Sequence, residues 1–248
     1  MIRMIMPMCG EGKKFSERGY SFPKPLVEIV GKPMIEIVVN NLMPAEVHEF
    51  VFVCRQEHLD RFALREVLNL VAPGSKVIGL STPTSGALCT VLLAISHLEN
   101  DEELLIVNAD QFIDHSVGRF LASARVGNWD GYIMTFPSTH PKWSYAKIEE
   151  GVVVEIAEKR PISCNATAGL YYFKKARDFL AAAEKMLIQN AAMEGEYFVA
   201  PAYNELILKG GRVGVYPIKQ EEMHSLGTPE DVDAFVAYLA RDVRKIKP

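Results

Sequence analysis

The sequence predicts an α/β fold in which a mostly parallel sheet carries helices on both faces. Short apolar runs typical of strands alternate with amphipathic runs typical of helices. Successive strand-like runs are separated by ten or more residues, which is long enough for a helical crossover between parallel strands. The chain has 248 residues and 49 % hydrophobic content, so it can bury one substantial core. No long linker, repeat or low-complexity segment interrupts it, and we therefore expect a single domain over residues 1–248.

Most of the alternation between predicted strands and predicted helices lies in the first half of the chain, about residues 1–135. We expect strands at residues 2–7, 49–54, 76–80, 103–107 and 131–137, and helices at residues 34–42, 57–71 and 86–97.

The second half, about residues 136–248, changes pattern. Two alternating runs, 145–148 and 152–157, flank Glu150-Gly151 and predict a β-hairpin. A strand is expected at residues 168–173, and a later helix ends at Lys209 before Gly210-Gly211. A last helix is expected after Thr228, which is suited to be its N-cap.

Composition excludes several classes of function. The formal net charge is −4, which argues against a nucleic-acid or anionic-membrane partner. No apolar run approaches the ~20 residues needed to cross a bilayer, and the N-terminus does not resemble a signal peptide. The four scattered cysteines include no CxxC pair, so we expect reduced, mostly buried thiols in a cytoplasmic protein without a zinc site.

The first loop has the residues expected of a polyphosphate site. Gly10 and Gly12 allow close approach of backbone N–H groups to a ligand, and lysine side chains nearby supply point charges for phosphate oxygens. Lys24 stands between two prolines that restrict its backbone. Six Lys or Arg residues and three Glu residues lie between Arg3 and Lys32, although the whole chain is acidic. The alternative is an ordinary solvated turn.

Two common phosphate loops are excluded. A P-loop requires glycine where Pro7 stands and serine or threonine where Lys14 stands. A dinucleotide fingerprint requires a third glycine at Phe15 and an acid near Cys54-Arg55.

A longer pattern resembles a known family. Gly-x-Gly-x-basic-Phe, Pro-Lys-Pro-Leu and Gly-Lys-Pro-Met-Ile follow one another from Gly10 to Ile35. In this order they resemble the nucleotidyltransferases that join nucleoside triphosphates to sugar 1-phosphates and related phosphates. The resemblance extends from Met6 to Phe235 and implies a Rossmann-like, GT-A-type mixed sheet with a small hairpin region for the acceptor.

The resemblance implies a nucleotide site at the first loop. Lys24 would contact the α-phosphate and Lys14 the β- and γ-phosphates, although the family usually has arginine at position 14. The base would lie near Gly86, with its edge read by Ser81, Thr82 or Ser85, and Ser85 is also suited to cap the helix that follows. The residues implied for nucleotide binding are Pro7, Met8, Cys9, Gly10, Gly12, Lys14, Lys24, Ser85, Gly86, Ala87 and Asp110.

Asp110 follows the predicted strand at 103–107, where the resemblance implies a Mg²⁺ ligand. The alternative is that Asp110 caps the helix after Asp114. Hexose-phosphate members place a second metal-binding aspartate where Ser225 stands here. Candidates for a second ligand are Glu196, Glu222 and His224, and we expect Asp231 and Asp233 to be surface residues.

The resemblance implies an acceptor pocket in the second half. Glu158 would accept hydrogen bonds from acceptor hydroxyls, Lys159 would bridge the reacting phosphates, and Gly169 would leave room for the acceptor ring. The residues implied for acceptor binding are Trp143, Tyr145, Glu158, Lys159, Gly169 and Tyr171. The alternative for residues 158–160 is a solvated run of charges.

The expected activity is therefore a Mg²⁺-dependent transfer of a nucleotidyl group with release of pyrophosphate. The nearest resemblance is to capsule- and surface-glycan-associated members, some of which depend on CTP, so we expect CTP and a role in supplying surface polysaccharide precursors. The catalytic residues implied are Lys14, Lys24, Asp110 and Lys159. Three alternatives are a non-sugar phosphate acceptor, a catalytically silent nucleotide-binding regulator, and a glycosyltransferase of related fold. A homodimer is also expected.

Overall fold

The computed structural model describes residues 1–241 and is organised around a mixed nine-stranded sheet. Seven strands form the order β10-β9-β11-β6-β1-β4-β5, and β8 joins β11 to β12. These nine strands are β1 (Ile2–Met8), β4 (His48–Arg55), β5 (Lys76–Leu80), β6 (Glu103–Val107), β8 (Gly131–Pro137), β9 (Tyr145–Glu149), β10 (Val152–Ala157), β11 (Asn165–Phe173) and β12 (Val213–Pro217). Two short pairs complete the β-structure: β2 (Glu28–Ile29) with β3 (Lys32–Pro33), and β7 (Gln111–Ile113) with β13 (Met223–Ser225).

The sheet is parallel through its first half and becomes antiparallel where β11 joins. β1 pairs in parallel with β4 and β6, and β4 pairs in parallel with β5. β11 runs antiparallel to β6 and β8. The four parallel strands therefore end at the same edge of the sheet, beside the loops that follow β1 and β6.

Helices cover both faces of the sheet, as the sequence predicts. They are α1 (Lys13–Glu17), α2 (Met34–Leu42), α3 (Gln56–Phe62), α4 (Leu64–Val71), α5 (Ala87–Leu92), α6 (Val117–Val126), α7 (Ala176–Ile188), α8 (Ala202–Leu208) and α9 (Pro229–Leu239). One apolar layer contains Ile35 of α2, Phe120 of α6 and Phe235 of α9. The opposite layer contains Leu88 of α5 and Phe179 of α7. The predicted α/β class is confirmed.

Two predicted helices are wrong in their extent. The helix expected at residues 57–71 is two helices, because Ala63 adopts a left-handed conformation with φ 51° and separates α3 from α4. The helix expected at residues 86–97 ends at Leu92, and a short 3₁₀ turn at Ile95–His97 follows it. In both cases the apolar spacing continues across a change in backbone conformation, so periodicity alone does not reveal the break.

The hairpin prediction is confirmed. β9 and β10 pair antiparallel, and Glu150 and Gly151 take φ values of 49° and 81° in the turn between them. The hairpin joins the main sheet through the pairing of Tyr145 with Ala166 of β11. The single-domain organisation stays a prediction, and residues 242–248 of it lie outside the described residues.

The cysteines are less buried than expected. Cys54 is buried, Cys9 and Cys89 are partly exposed, and Cys164 is exposed; all four are free thiols. None of the helices described within residues 1–241 is both long enough and apolar enough to span a bilayer.

Candidate active site

The first loop packs directly against the Pro-Lys-Pro segment. Gly12 begins α1 with φ 64°, and a Cβ at this position would lie 3.0 Å from Cβ of Lys24. Phe15 of α1 is buried and anchors the loop on the core, and Lys24 Nζ lies 5.9 Å from the centroid of its ring. The two motifs are therefore parts of one surface, and glycine at position 12 leaves the space that Lys24 occupies.

Asp110 meets Lys24 at this surface. Its carboxylate Oδ2 accepts a hydrogen bond from Lys24 Nζ at 2.5 Å. Its backbone carbonyl accepts a hydrogen bond from Leu226 N at 2.7 Å, which ties the loop after β6 to the chain before α9. The side chains of Lys24 and Asp110 are 20 % and 38 % exposed, so both are partly open to solvent.

A cavity of about 430 Å³ opens beside this ion pair. Its lining combines the loop glycines with three lysines and the strand-end aspartate, which is the composition of a site for a phosphorylated ligand. The lining residues are Pro7, Met8, Gly10, Gly12, Lys13, Lys14, Lys24, Pro25, Ala87, Asn108, Ala109, Asp110 and Gly227. We call this the loop cavity.

A second cavity of about 260 Å³ lies on the other side of Asp110. Ala87, Asn108 and Asp110 line both cavities, so the two meet at these residues. The remaining lining residues are Gln111, Lys142, Trp143, Ser144, Glu158, Lys159, Thr167, Tyr171, Phe198, Val199, Ala200, Met223 and Ser225. We call this the hairpin cavity, because several of these residues lie on or beside β9, β10 and β11.

Hydroxyl groups surround a buried carboxyl in the hairpin cavity. Glu158 is 7 % exposed and accepts a hydrogen bond from the Ser144 hydroxyl. Burial raises the pKa of the Glu158 carboxyl, against the opposing effects of the Ser144 hydrogen bond and the Lys159 charge. Burial also raises the pKa of Tyr171 to about 12, and its hydroxyl lies 3.0 Å from Thr167 Oγ1.

Two lysines of the hairpin cavity lie over aromatic rings. Lys142 Nζ is 4.6 Å from the centroid of the Trp143 ring, and Lys159 Nζ is 4.8 Å from that of Phe198. Lys159 adopts φ 51°, an uncommon conformation for a residue with a side chain. Each of these ammonium groups also pairs with a carboxylate, Lys142 with Asp231 and Lys159 with Glu194, both at 3.6 Å.

Comparison with known proteins identifies the family of the chain. A family model described as nucleotidyl transferase matches residues 3–211, which is most of the chain. The chain belongs to the nucleotidyl transferase family. Proteins with curated functions gave no match to the sequence.

Several solved structures have a fold similar to that of this chain. The nucleoside-diphosphate-sugar pyrophosphorylase of Vibrio cholerae RC9 is 28 % identical, with a TM-score of 0.82 over 94 % of this chain and 99 % of that chain. The inositol-1-phosphate CTP transferase of T. maritima is 16 % identical, with a TM-score of 0.76 over 98 % and 96 % of the two chains. A UTP-bound UGPase from Acinetobacter baumannii is 17 % identical, with a TM-score of 0.74 over 99 % and 96 %. At these identities the last two show a similarity of fold alone.

The segment between β13 and α9 draws an aspartate side chain toward Ser225. Ser225 Oγ donates a hydrogen bond to Asp231 Oδ2 at 2.9 Å, and Thr228 caps α9 by accepting from Asp231 N. A Cβ on Gly227 would lie 3.4 Å from Asp231 Oδ2 and 3.7 Å from Asp110 Oδ2, so both carboxylates face the same glycine. The Asp231 side chain is 21 % exposed, so the expectation of a surface residue is wrong; Asp233, at 65 % exposed, is a surface residue.

The three residues considered as second metal ligands lie away from both cavity linings. Glu222 accepts a hydrogen bond from Lys219 N, and His224 packs against Phe235 and Tyr238. Glu196 is exposed and pairs with Met193 in a turn. Within residues 1–241, no group of three or more His, Cys, Asp or Glu side chains is arranged to hold a metal ion.

The residues expected to bind the nucleotide divide into those that line the loop cavity and those that do not. Eight of the eleven line the loop cavity: Pro7, Met8, Gly10, Gly12, Lys14, Lys24, Ala87 and Asp110. Cys9 points away, because its thiol donates to Val53 O at 3.2 Å, and burial raises its pKa to about 11. A Cβ on Gly86 would lie 2.5 Å from Tyr197 O, so glycine at this position leaves the space that the backbone of Tyr197 occupies. Ser85 does not cap α5; Gly86 is the N-cap and makes no side-chain bond.

Two residues expected to bind the acceptor, Tyr145 and Gly169, do not line the hairpin cavity. Tyr145 is fully buried in the core, and its hydroxyl donates to His140 O at 2.6 Å. The space at Gly169 is filled by Gln111 and Asn108, since a Cβ there would lie 2.1 Å from Gln111 Oε1 and 2.6 Å from Asn108 Nδ2. Trp143, Glu158, Lys159 and Tyr171 do line the hairpin cavity.

Sequence reasoning missed several residues that line these cavities. Asn108 and Gln111 flank the Ala109-Asp110 pair, and their place directly after a buried strand is a signal that could have identified them. Lys142, Ser144 and Thr167 were also missed. Lys142 and Ser144 flank Trp143 in the polar aromatic segment, whereas nothing local distinguishes Thr167.

Proposed function

We propose that this protein transfers a nucleotidyl group from a nucleoside triphosphate to a small phosphorylated acceptor and releases pyrophosphate. The observation that carries the proposal is the meeting of the loop cavity and the hairpin cavity at Asp110. One cavity combines glycines and lysines suited to a triphosphate, and the other combines hydroxyls, a carboxyl and lysines suited to a phosphorylated acceptor. Two substrates bound in these cavities would bring their phosphates together at Asp110.

The chemistry needs no side-chain nucleophile. An ionised oxygen of the acceptor phosphate attacks the α-phosphorus and forms a new P–O bond, while the bond from the α-phosphorus to the bridging oxygen breaks and pyrophosphate leaves with the electron pair. Catalysis then consists of positioning the two phosphates and neutralising their charge. We assign Lys24 to the α-phosphate, Lys14 to the β- and γ-phosphates, and Lys159 to the acceptor phosphate.

The residues at the meeting point fit a magnesium ion. Magnesium is bound through one or two carboxylates together with substrate phosphates and water, and Asp110 is a partly exposed carboxylate on the walls of both cavities. Asp110 would hold the ion, which when bound would neutralise phosphate charge. Lys24, which donates to Asp110, would keep that carboxylate oriented toward the triphosphate.

We further propose that CTP is the preferred triphosphate and that the product serves surface polysaccharide synthesis. Ser81 and Thr82 stand where related transferases often have the glutamine or glutamate that selects thymine or uracil. One structural neighbour is an inositol-1-phosphate CTP transferase, which gives a precedent for cytidine on this fold. The role in surface polysaccharide synthesis rests on the resemblance to surface-glycan-associated members.

The proposal is tested by measuring pyrophosphate release. The protein is incubated with Mg²⁺, each of five triphosphates and a panel of sugar and polyol phosphates, with a phosphate-free sugar as the matched control. We expect pyrophosphate only when a triphosphate and a phosphorylated acceptor are both present. A thermal shift with triphosphate but no turnover with any acceptor would instead favour a catalytically silent nucleotide-binding regulator.

A further inference from the structure

Arg18 joins the C-terminal end of α1 to the beginning of α9 through two ion pairs. Its guanidinium Nη1 donates to Glu230 Oε1 at 2.6 Å, and Nη2 donates to Asp233 Oδ2 at 3.5 Å. The two acids lie 212 and 215 positions away in the chain, so the fold and not the local sequence brings these charges together.

Both segments border the loop cavity. Lys14 of α1 lines it, and so does Gly227, which directly precedes the N-cap of α9. Arg18 lies one turn after Lys14, and its backbone N–H donates to Lys14 O at 3.3 Å. Side chains four residues apart on a helix share a face, with Cβ atoms about 5–6 Å apart. A phosphate chain that reaches Lys14 is therefore also within reach of the long Arg18 side chain.

Glu230 lies close to the positive charges of Lys14 and Arg18. The pKa of its carboxyl is lowered, first by a hydrogen bond from its own backbone N–H and, among smaller causes, by the charges of Arg18 and Lys14. This carboxyl is therefore ionised at neutral pH. Asp233 follows three residues later on α9, which places a second carboxylate on the same face of that helix. Two carboxylates thus oppose the cations of α1 and its C-cap.

The two ion pairs are open to exchange with another anion. The side chains of Arg18, Glu230 and Asp233 are each more than half exposed. Exposed ion pairs stabilise a fold little, because water and salt screen them. A terminal phosphate carries more negative charge than a carboxylate, and it accepts two parallel N–H bonds from a guanidinium group. A phosphate that reaches Arg18 can therefore displace both carboxylates.

From these contacts we propose that Glu230 and Asp233 hold Arg18 in the unliganded protein and give it up to the terminal phosphate of a bound triphosphate. Arg18 then binds that phosphate together with Lys14. After transfer, the two carboxylates compete with pyrophosphate for Arg18 and so promote its release. This inference rests on the proposed nucleotidyl transfer, to which it adds a further binding residue and a means of product release.

The test measures binding without an acceptor, so that no transfer takes place. Calorimetry with Mg²⁺ gives the Kd for three ligands: the triphosphate with the largest melting shift among ATP, CTP, GTP, UTP and dTTP, the corresponding monophosphate, and inorganic pyrophosphate. The variants are Glu230→Gln/Asp233→Asn, Arg18→Ala and the three substitutions combined.

The matched control is Glu66→Gln/Asp101→Asn. It also removes two exposed carboxylates, one of which pairs with an arginine, and it changes the net charge by the same amount. Neither of these residues lines the loop cavity. Melting temperatures without ligands show whether each variant is folded.

We expect Glu230→Gln/Asp233→Asn to lower the Kd for the triphosphate and for pyrophosphate by about threefold to tenfold, because a phosphate no longer has to displace a carboxylate. The Kd for the monophosphate should not change, since that ligand lacks the terminal phosphate. The gain should shrink as NaCl is added, because salt screens exposed charges. The control variant should bind all three ligands as the wild type does.

Arg18→Ala should raise the Kd for the triphosphate by about tenfold, because a charge-assisted hydrogen bond is lost. In that background the two acid substitutions should lower the Kd by about twofold or less, since they act through the guanidinium that has been removed.

Other results overturn the inference. An unchanged Kd for the triphosphate in Glu230→Gln/Asp233→Asn, or an equal gain for the monophosphate, would show that the carboxylates do not compete with a terminal phosphate. The full gain in the Arg18→Ala background would exclude Arg18 as the group that is exchanged. If the double variant does not fold, Glu230→Gln alone replaces it, and an unchanged Kd there has the same meaning.

The proposed function fails on different results. The expected gain in triphosphate binding, but no pyrophosphate with any acceptor, would remove nucleotidyl transfer and leave the exchange at Arg18 standing. Absence of binding of all five triphosphates to the wild type would remove the triphosphate site, and this inference with it.

Discussion

Lys24 Nζ donates a hydrogen bond to Asp110 Oδ2 across 2.5 Å, although 86 positions separate the two residues in the chain. Lys24 follows the first loop and Asp110 follows β6, so the bond joins the parts of the site that the two central strands deliver to one edge of the sheet. Removing either partner leaves the other charge without its hydrogen bond. Because the two side chains are bonded to each other, substituting Lys24 and substituting Asp110 are two independent ways to test the same site.

The two lysines of the nucleotide site should have different kinetic roles. Lys24 is partly buried against Asp110 and Phe15, so Lys24→Ala should lower kcat by about a hundredfold or more and change the KM for the triphosphate less. Lys14 is exposed, so Lys14→Ala should mainly raise that KM. Steady-state kinetics check both, with Lys174→Ala as the control because Lys174 bonds to Asn128 and lines neither cavity. If Lys24→Ala mainly raised KM and Lys14→Ala mainly lowered kcat, the phosphate contacts assigned to the two lysines would have to be exchanged.

Asp110→Asn should lower turnover by about a hundredfold or more and keep the fold. Loss of the one carboxylate assigned to Mg²⁺ should cost about 3 kcal/mol or more of transition-state stabilisation, about a hundredfold in rate. The matched control is Asp101→Asn, since Asp101 is an exposed carboxylate paired with Arg177. Rates are measured by pyrophosphate release and Mn²⁺ affinity by calorimetry. Wild-type rates and metal affinity in Asp110→Asn would exclude Asp110 from the mechanism.

The sequence predicts what depends on local pattern. The strands and helices follow from apolar spacing, and strand ends locate the first loop and Asp110 at one edge without any knowledge of contacts. What it misses depends on residues far apart in the chain. Gly86 is required by the backbone of Tyr197, and the space at Gly169 is filled by Gln111. The two-residue spacing of Asp231 and Asp233 predicts that they lie on different sides of α9. It does not predict that Asp231 accepts a hydrogen bond from Ser225, which comes from outside the helix.

Gly86→Ala should destabilise the protein more than Gly74→Ala. Both glycines have positive φ, 106° and 82°, so alanine at either position should cost about 1–2 kcal/mol in backbone strain. At Gly86 the new methyl group would also lie 2.5 Å from Tyr197 O, which should add about 1–3 kcal/mol, whereas nothing lies within 4 Å at Gly74. Urea unfolding measures both free energies. If both variants lost the same free energy of unfolding, the contact with Tyr197 would not contribute to the cost of a side chain at Gly86.

Glu158→Gln should stabilise the protein at neutral pH and lose that advantage in acid. Burial raises the pKa of Glu158 in the folded state above its ordinary value of 4.5, so the native protein keeps a proton that the unfolded chain releases. The stability that this protonation contributes is full below the unfolded pKa and is lost as pH rises through the folded pKa. At neutral pH the buried carboxyl therefore lowers the free energy of unfolding of the wild type, whereas the uncharged glutamine of the variant does not.

Melting temperatures between pH 4 and pH 8 measure this difference, with about 2–4 °C expected for each kcal/mol in a chain of this size. Glu66→Gln, at an exposed glutamate of α4, is the control and should show no such trend. A difference between Glu158→Gln and wild type that stays constant across this range would contradict the raised pKa.

The nucleobase preference is tested by melting shifts with ATP, CTP, GTP, UTP and dTTP at saturating Mg²⁺. We expect the largest shift with CTP, because the cytosine amino group can donate to a backbone carbonyl near Gly86 or Pro7. Pro7 lines the loop cavity, and so does Ala87, which follows Gly86. UTP presents an acceptor at the same position, and two facing acceptors should cost about 1–3 kcal/mol, or roughly ten- to a hundredfold in affinity. A larger shift with GTP or dTTP than with CTP would refute the cytidine assignment, and membership of the nucleotidyl transferase family would be unaffected.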